Sequence, residues 1–195
     1  MTVTAVRKDP HRLTMTIEAE FDASPERVWQ LWADPRQLER WWGPPTYPAT
    51  FTRHDLAPGG RAEYQMIGPQ GDRHRGYWEI LEAEAPHRLV FGDGVANADG
   101  TPNTDMPLAT TRVTIEEVDV GRTRMSIESS FPSAEAMEWI LATGTDEGRT
   151  RAVGQIDAIL AEDAVARHRD RPSDVAATRI EVLKHEIAHS GPPFD

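Results

Sequence analysis

Residues Ser24 to Pro45, SPERVWQLWADPRQLERWWGPP, constrain this chain more than any other stretch, because they hold two helix starts and four of the six tryptophans. Ser24 before Pro25 is a helix entry, since the Ser hydroxyl accepts from an orphan backbone N–H and Pro at the first helical position has no needed donor to lose. Val28, Leu31 and Trp32 then recur at the spacing of one buried helical face. Pro35 disfavours helix at Asp34, and Asp34 with Gln37 has the spacing of a capping box. Leu38, Trp41 and Trp42 repeat the apolar spacing before Gly43-Pro44-Pro45 stops it. Two short amphipathic helices of this kind have no core of their own and must close over an apolar surface.

That surface is supplied by strands. Leu13, Met15, Ile17, Ala19 and Phe21 alternate with polar residues, the period of a strand buried on one face. After Pro45 come strand patterns at Pro48 to His54, Arg61 to Ile67, His74 to Glu84, Leu89 to Val95, Ala109 to Val118 and Thr123 to Phe131, separated by Gly, Pro, Asn and Asp. Their short connections describe an antiparallel meander. Ser133 to about Glu162 carries the longest helical stripe, through Met137, Ile140, Leu141, Ala152, Val153, Ile156, Ile159 and Leu160, interrupted by Gly144, Gly148 and Gly154. Interior glycines of this kind predict a kink or a close backbone approach, or, less often, space left beside a cavity.

The net charge of −11 opposes nucleic acid and anionic membranes as partners. With no Cys there is neither a disulfide nor thiol chemistry, which suits a cytoplasmic setting. No phosphate-cradling glycine motif stands at a strand-to-helix junction, and the residues call for no cofactor. The expected organisation is a polar lead at 1–12, a domain at 13–163, a charged linker at 164–172, an appended amphipathic helix at 173–190 and a tail at 191–195.

FDASPERVWQLWADPRQLERWWGPP, RHRGYWEILEAEAPHRLVF and AMEWILATGTDEGRTRAVGQIDAILAE resemble the START-like (SRPBCC) superfamily. They are most similar to its branch homologous to the C-terminal domain of the activator of the 90-kDa heat-shock protein ATPase. The resemblance covers about Leu13 to Glu162, and Arg149 departs from it, standing where relatives commonly carry an apolar or aromatic residue. It implies an α+β helix-grip fold: a curved antiparallel sheet of about six or seven strands around a long C-terminal helix, two short helices after strand one, and an extra helix at the end. It also implies a pocket between sheet and helix for an apolar or aromatic small molecule. A chaperone partner in a stress response, or cyclase or hydratase chemistry, are the alternatives it carries, and fold does not choose among them. The reading leans towards a binding domain rather than an enzyme.

The candidate ligand-binding residues are Trp41 and Trp42 at the mouth, Tyr64, Met66, Trp78, Phe91 and Met125 from the sheet, and Met137 and Leu141 from the helix. His54, next to Asp55, and His74, flanked by Arg73 and Arg75, are the candidate proton-transfer groups. In the tail, His185-Glu186-Ile187-Ala188-His189 matches the helical zinc-protease motif formally. On a helix, however, His185 and His189 point away from the Ala176, Ile180, Leu183 and Ile187 stripe, and no third His follows. They are weak metal candidates. The stripe itself needs a surface, either its own domain or a second copy in a homodimer.

Overall fold

The alternation in the first strand pattern builds one half of a hairpin whose other half the sequence conceals. The computed structural model describes residues 3–169, and Val3–Asp9 (β1) pairs antiparallel with Thr14–Phe21 (β2). The expected polar lead is thus an edge strand; its residues are half-buried or exposed and none is fully buried, so no apolar row marks a core face. Asp9 closes the turn by accepting from the His11 and Arg12 N–H groups at 3.0 Å each, and Arg7 holds Glu18 through two nitrogens at 2.8 and 3.0 Å. Leu13 lies in the turn rather than the strand, with φ +53°, and its carbonyl accepts the Phe131 N–H at 2.9 Å.

Pro25–Ala33 (α1) and Pro35–Leu38 (α2) follow, capped by Ser24 and Asp34. The Asp34 carboxylate accepts from the Arg36 N–H at 2.9 Å, while the Asp34 N–H is already bonded to the Gln30 carbonyl as α1 ends. Gln37 therefore turns its amide to the Asp34 side chain at 3.4 Å, and the reciprocal half of the expected capping box does not form. The tandem tryptophans follow in turns rather than in helix.

The remaining strands are Ala49–His54 (β3), Arg61–Ile67 (β4), Arg73–Glu84 (β5), Arg88–Ala96 (β6), Ala109–Asp119 (β7) and Arg122–Ser130 (β8). All eight form one antiparallel sheet in the order β1-β2-β8-β7-β6-β5-β4-β3. This is the α+β helix-grip architecture, with more strands than the six or seven expected because the lead contributes one. Register places Met15 opposite Ser129, Ser129 opposite Thr111 and Thr111 opposite Phe91, a row across the inner face. The neighbouring row runs Ala109, Asp93, Trp78, Ala62.

The long C-terminal helical pattern is cut into Ala134–Ala142 (α3), Thr145–Val153 (α4) and Ile156–Arg169 (α5). The first break is at Gly144, whose φ of +76° is left-handed and costs a residue without Cβ little. At the second, Gly154 and Gln155 form a turn, and the Gln155 amide donates to the carbonyls of Gly43 at 2.8 Å and Trp41 at 3.3 Å. Residues 3–159 lie in one compact unit, and the described residues from 160 onwards fall outside it. The expected linker falls partly on α5, while the appended helix at 173–190, with His185 and His189, lies outside the described residues.

The core of the first unit centres on Trp32, fully buried, with ring centroids 4.7 Å from Trp41, 5.9 Å from Trp42, 6.1 Å from Trp78 and 6.3 Å from Phe91. Its indole N–H donates to the Met125 sulfur at 3.3 Å, tying α1 to β8. Such aromatic pairs add about 0.5–1.5 kcal/mol each beyond area burial. Trp32→Ala is therefore expected to cost about 3–5 kcal/mol in urea denaturation, whereas Trp139→Ala, at a residue 45% exposed, is expected to cost under about 1 kcal/mol.

Candidate functional site

On the inner face, the helical segments α3 and α4 do not cover the sheet completely. A cavity of about 720 Å³ remains, bounded by Met15 and Phe131, by Tyr64, Met66, Gly76, Asp93 and Val95 of the sheet, by Trp42, and by Ile140, Gly148 and Arg149 of the helices. Sheet register explains its width. Gly76 stands opposite Tyr64, and a Cβ at Gly76 would meet the Tyr64 ring at 2.3 Å, so the missing side chain lets the ring lie flat across β5. On α4, a Cβ at Gly148 would meet nothing within 4 Å, so this glycine faces open space.

Of the expected lining residues, the structure brings Trp42, Tyr64 and Met66 together at the cavity, with His74 at its edge. Trp41, Trp78, Phe91 and Met125 instead lie deeper, all at most 1% exposed and packed around Trp32. The Trp41 indole donates to the Leu31 carbonyl at 3.0 Å, which turns it under α1 and away from any opening. Met137 is buried, and Leu141 is half-buried; neither borders the cavity, because Trp139 and Ile140 occupy that side of α3. The twin tryptophans thus divide between core and cavity wall.

His54 stands apart from the cavity. Its Nε2–H donates to the Trp32 carbonyl at 2.9 Å, where α1 is ending, and burial lowers its pKa below the usual imidazole value. That arrangement fastens β3 to α1. His74 is exposed, 3.2 Å from the Asp72 carboxylate and with its ring 5.4 Å from Tyr47. Among the described residues no three His, Cys, Asp or Glu cluster as metal ligands, and no helix is long and apolar enough to cross a membrane.

The polar heart of the cavity is a group that periodicity does not reveal. Arg149, on α4, forms a close ion pair with Asp93, on β6, with side chains 19% and 8% exposed. The same guanidinium donates to the Ser129 hydroxyl at 2.7 Å, and Ser129 shares a hydrogen bond of 3.1 Å with Thr111. The Tyr64 hydroxyl donates to the other Asp93 oxygen at a long 3.5 Å, and the guanidinium carbon lies 5.7 Å from the Trp42 ring centroid. Burial pushes the Asp93 carboxyl above its ordinary pKa against the pull of Arg149, and burial with the nearby Asp93 charge pushes the Tyr64 hydroxyl up as well. Asp93 follows Gly92 and precedes Gly94 inside an apolar strand, and Arg149 is a charged residue directly after Gly148 in the helical stretch. These two residues are what the sequence shows of the group.

The family model described as Activator of Hsp90 ATPase homolog 1-like protein matches residues 22–161. Among solved structures, protein Ms6760 from Mycobacterium smegmatis is 50% identical, with 81% of this chain and 96% of that one covered and a TM-score of 0.75. A protein from Arthrobacter aurescens is 48% identical over 83% of this chain and 93% of its own, with a TM-score of 0.79. One from Staphylococcus epidermidis, at 23% identity, 82% and 95% coverage and a TM-score of 0.71, shares the fold. No curated protein matches the chain.

Two outcomes follow from the buried ionisable groups. Arg149→Met leaves Asp93 without its counter-charge, so its raised pKa climbs further; a carboxyl of that kind supports folding below its unfolded pKa and loses that support as pH rises through the folded one. The deficit of the variant relative to wild type, about 3–5 kcal/mol at pH 8, is expected to shrink towards pH 4.5 in chemical denaturation. His54 has the opposite sign. Its lowered pKa makes a contribution that is present above about pH 6.5 and is lost as pH falls through the folded value, so His54→Gln is expected to flatten the loss of thermal stability on mild acidification.

Proposed function

The chain belongs to the Activator of Hsp90 ATPase homolog 1-like family, and from that premise we propose that it works as a binding domain for a small molecule with an apolar or aromatic body. The observation that carries this reading is the cavity of about 720 Å³ between the sheet and α3–α4, within the size range of small-molecule sites. Its walls suit such a ligand: the faces and edges of Trp42 and Tyr64, the flexible Met15 and Met66, and Phe131. A few polar groups, Asp93, Arg149 and the Tyr64 hydroxyl, stand among them as orienting contacts. The reading is one of binding, with no bond made or broken in the ligand.

Gly148 supplies the test. Gly148→Phe projects a ring into the open space beside α4 without striking a neighbour at its Cβ, and it removes an unfavourable helix residue. Wild type and variant are compared by thermal shift and indole fluorescence against a panel of lipids, polyketides and aromatic compounds. The expected result is saturable binding to wild type, with affinity reduced at least about tenfold in a variant whose melting temperature in the absence of ligand is unchanged or higher. Equal affinity in both proteins, or no compound that binds wild type, rejects the reading.

A further inference from the structure

The pairing of charges inside the cavity restricts what the cavity accepts, an argument that rests on the binding reading above. We propose that the site selects an uncharged molecule presenting a hydrogen-bond acceptor and donor side by side, as in a primary amide, lactam or imide, on a ring-sized apolar body. The acceptor takes an N–H of Arg149, and the donor reaches the Asp93 oxygen that Tyr64 holds only at 3.5 Å.

Charge balance is the first support. Arg149 and Asp93 neutralise one another in a place where both are largely buried. An anionic head group on Arg149 faces the Asp93 carboxylate, and a cationic one on Asp93 faces the guanidinium; Arg73 and Arg75 also border the cavity, but the first is exposed and the second half-buried, at the solvent side where their charge is screened. Either leaves one buried charge without a partner, the most expensive arrangement such a site has. A neutral head group disturbs nothing.

Unused hydrogen-bonding capacity is the second support. Ser129 and Asp93 engage two of the five guanidinium N–H groups, so donors remain beside the cavity. One Asp93 oxygen is held by Arg149, while the other has only the long contact from Tyr64 and so retains acceptor capacity. A donor-rich cation fixed next to an acceptor-rich anion is matched by a ligand edge that carries one acceptor and one donor on adjacent atoms. The third support is shape: the guanidinium lies over the Trp42 ring, and Gly148 leaves open space beside it on α4, so a flat body has room next to the pair.

Four naphthalenes with one body and different heads test the assignment by isothermal titration near pH 7.5: the carboxamide, the carboxylate, the methylammonium and the parent hydrocarbon, all substituted at the same position. In wild type the carboxamide is expected to bind at least about tenfold tighter than the other three. In Asp93→Asn the guanidinium loses its counter-charge, so the carboxylate is expected to gain at least about tenfold and to overtake the carboxamide, a reversal that a merely structural Asp93 would not produce. If that variant does not fold, the order in wild type decides alone. A carboxylate or ammonium that equals the carboxamide in wild type overturns the assignment, as does a folded Asp93→Asn protein that keeps the wild-type order. Equal binding of all four, abolished by Gly148→Phe, also overturns it while leaving the cavity reading standing. If none binds, the hydrocarbon included, both fall.

Discussion

The indole of Trp32 is the contact on which this domain turns. It brings α1, the tandem-tryptophan turn, β5, β6 and, through a hydrogen bond to a methionine sulfur, β8 to one point. An antiparallel sheet with one solvated face needs its other face covered, and here one aromatic side chain anchors half of that cover. The other half comes from the segmented C-terminal helices, and because Trp41, Trp78 and Phe91 already fill the space under α1, the uncovered part is displaced towards α3 and α4. The cavity is thus a consequence of where the rings pack.

Into that apolar setting the chain places a guanidinium and a carboxylate. A buried ion pair rarely stabilises a fold relative to well-packed hydrocarbon, since the loss of hydration offsets most of the attraction. Its benefit is orientation: Arg149 is fixed by Ser129 on one side and Asp93 on the other, with Thr111 bonded to Ser129 behind it. The result is a polar edge of defined direction in a chamber whose inner walls are largely apolar, among them Met15, Met66, Trp42 and Phe131.

Much of the architecture was legible in residue order, because the period of two from Met15 to Phe21 and the capped apolar pattern from Ser24 to Leu38 each admit one element type. The edge strand at Val3–Asp9 was hidden by its charged composition, since none of its residues is fully buried and the period-two signal needs a buried face. The site was harder to read. Spacing marks a residue as inward-facing but not as core or cavity wall: Trp41 and Trp42 are adjacent in sequence, yet the first is bonded to the Leu31 carbonyl and the second meets the guanidinium of a residue over one hundred positions away. Asp93 and Arg149 carry no mutual signal in one sequence, because only the folded sheet and helix bring them together. The visible clues were a carboxylate between two glycines in an otherwise apolar strand, at Asp93, and an arginine directly after Gly148, and neither points to the other.

The amide of Gln155 bonds to the carbonyls on either side of Trp42, from the joint between two helices. One side chain thereby couples a cavity wall to the backbone that roofs the cavity. Widening the chamber by swinging the helices outward must either drag the indole along or rupture both bonds together. The entrance is therefore cooperative: wall and roof yield as one hinged body, and a guest that wedges them apart meets the stiffness of both.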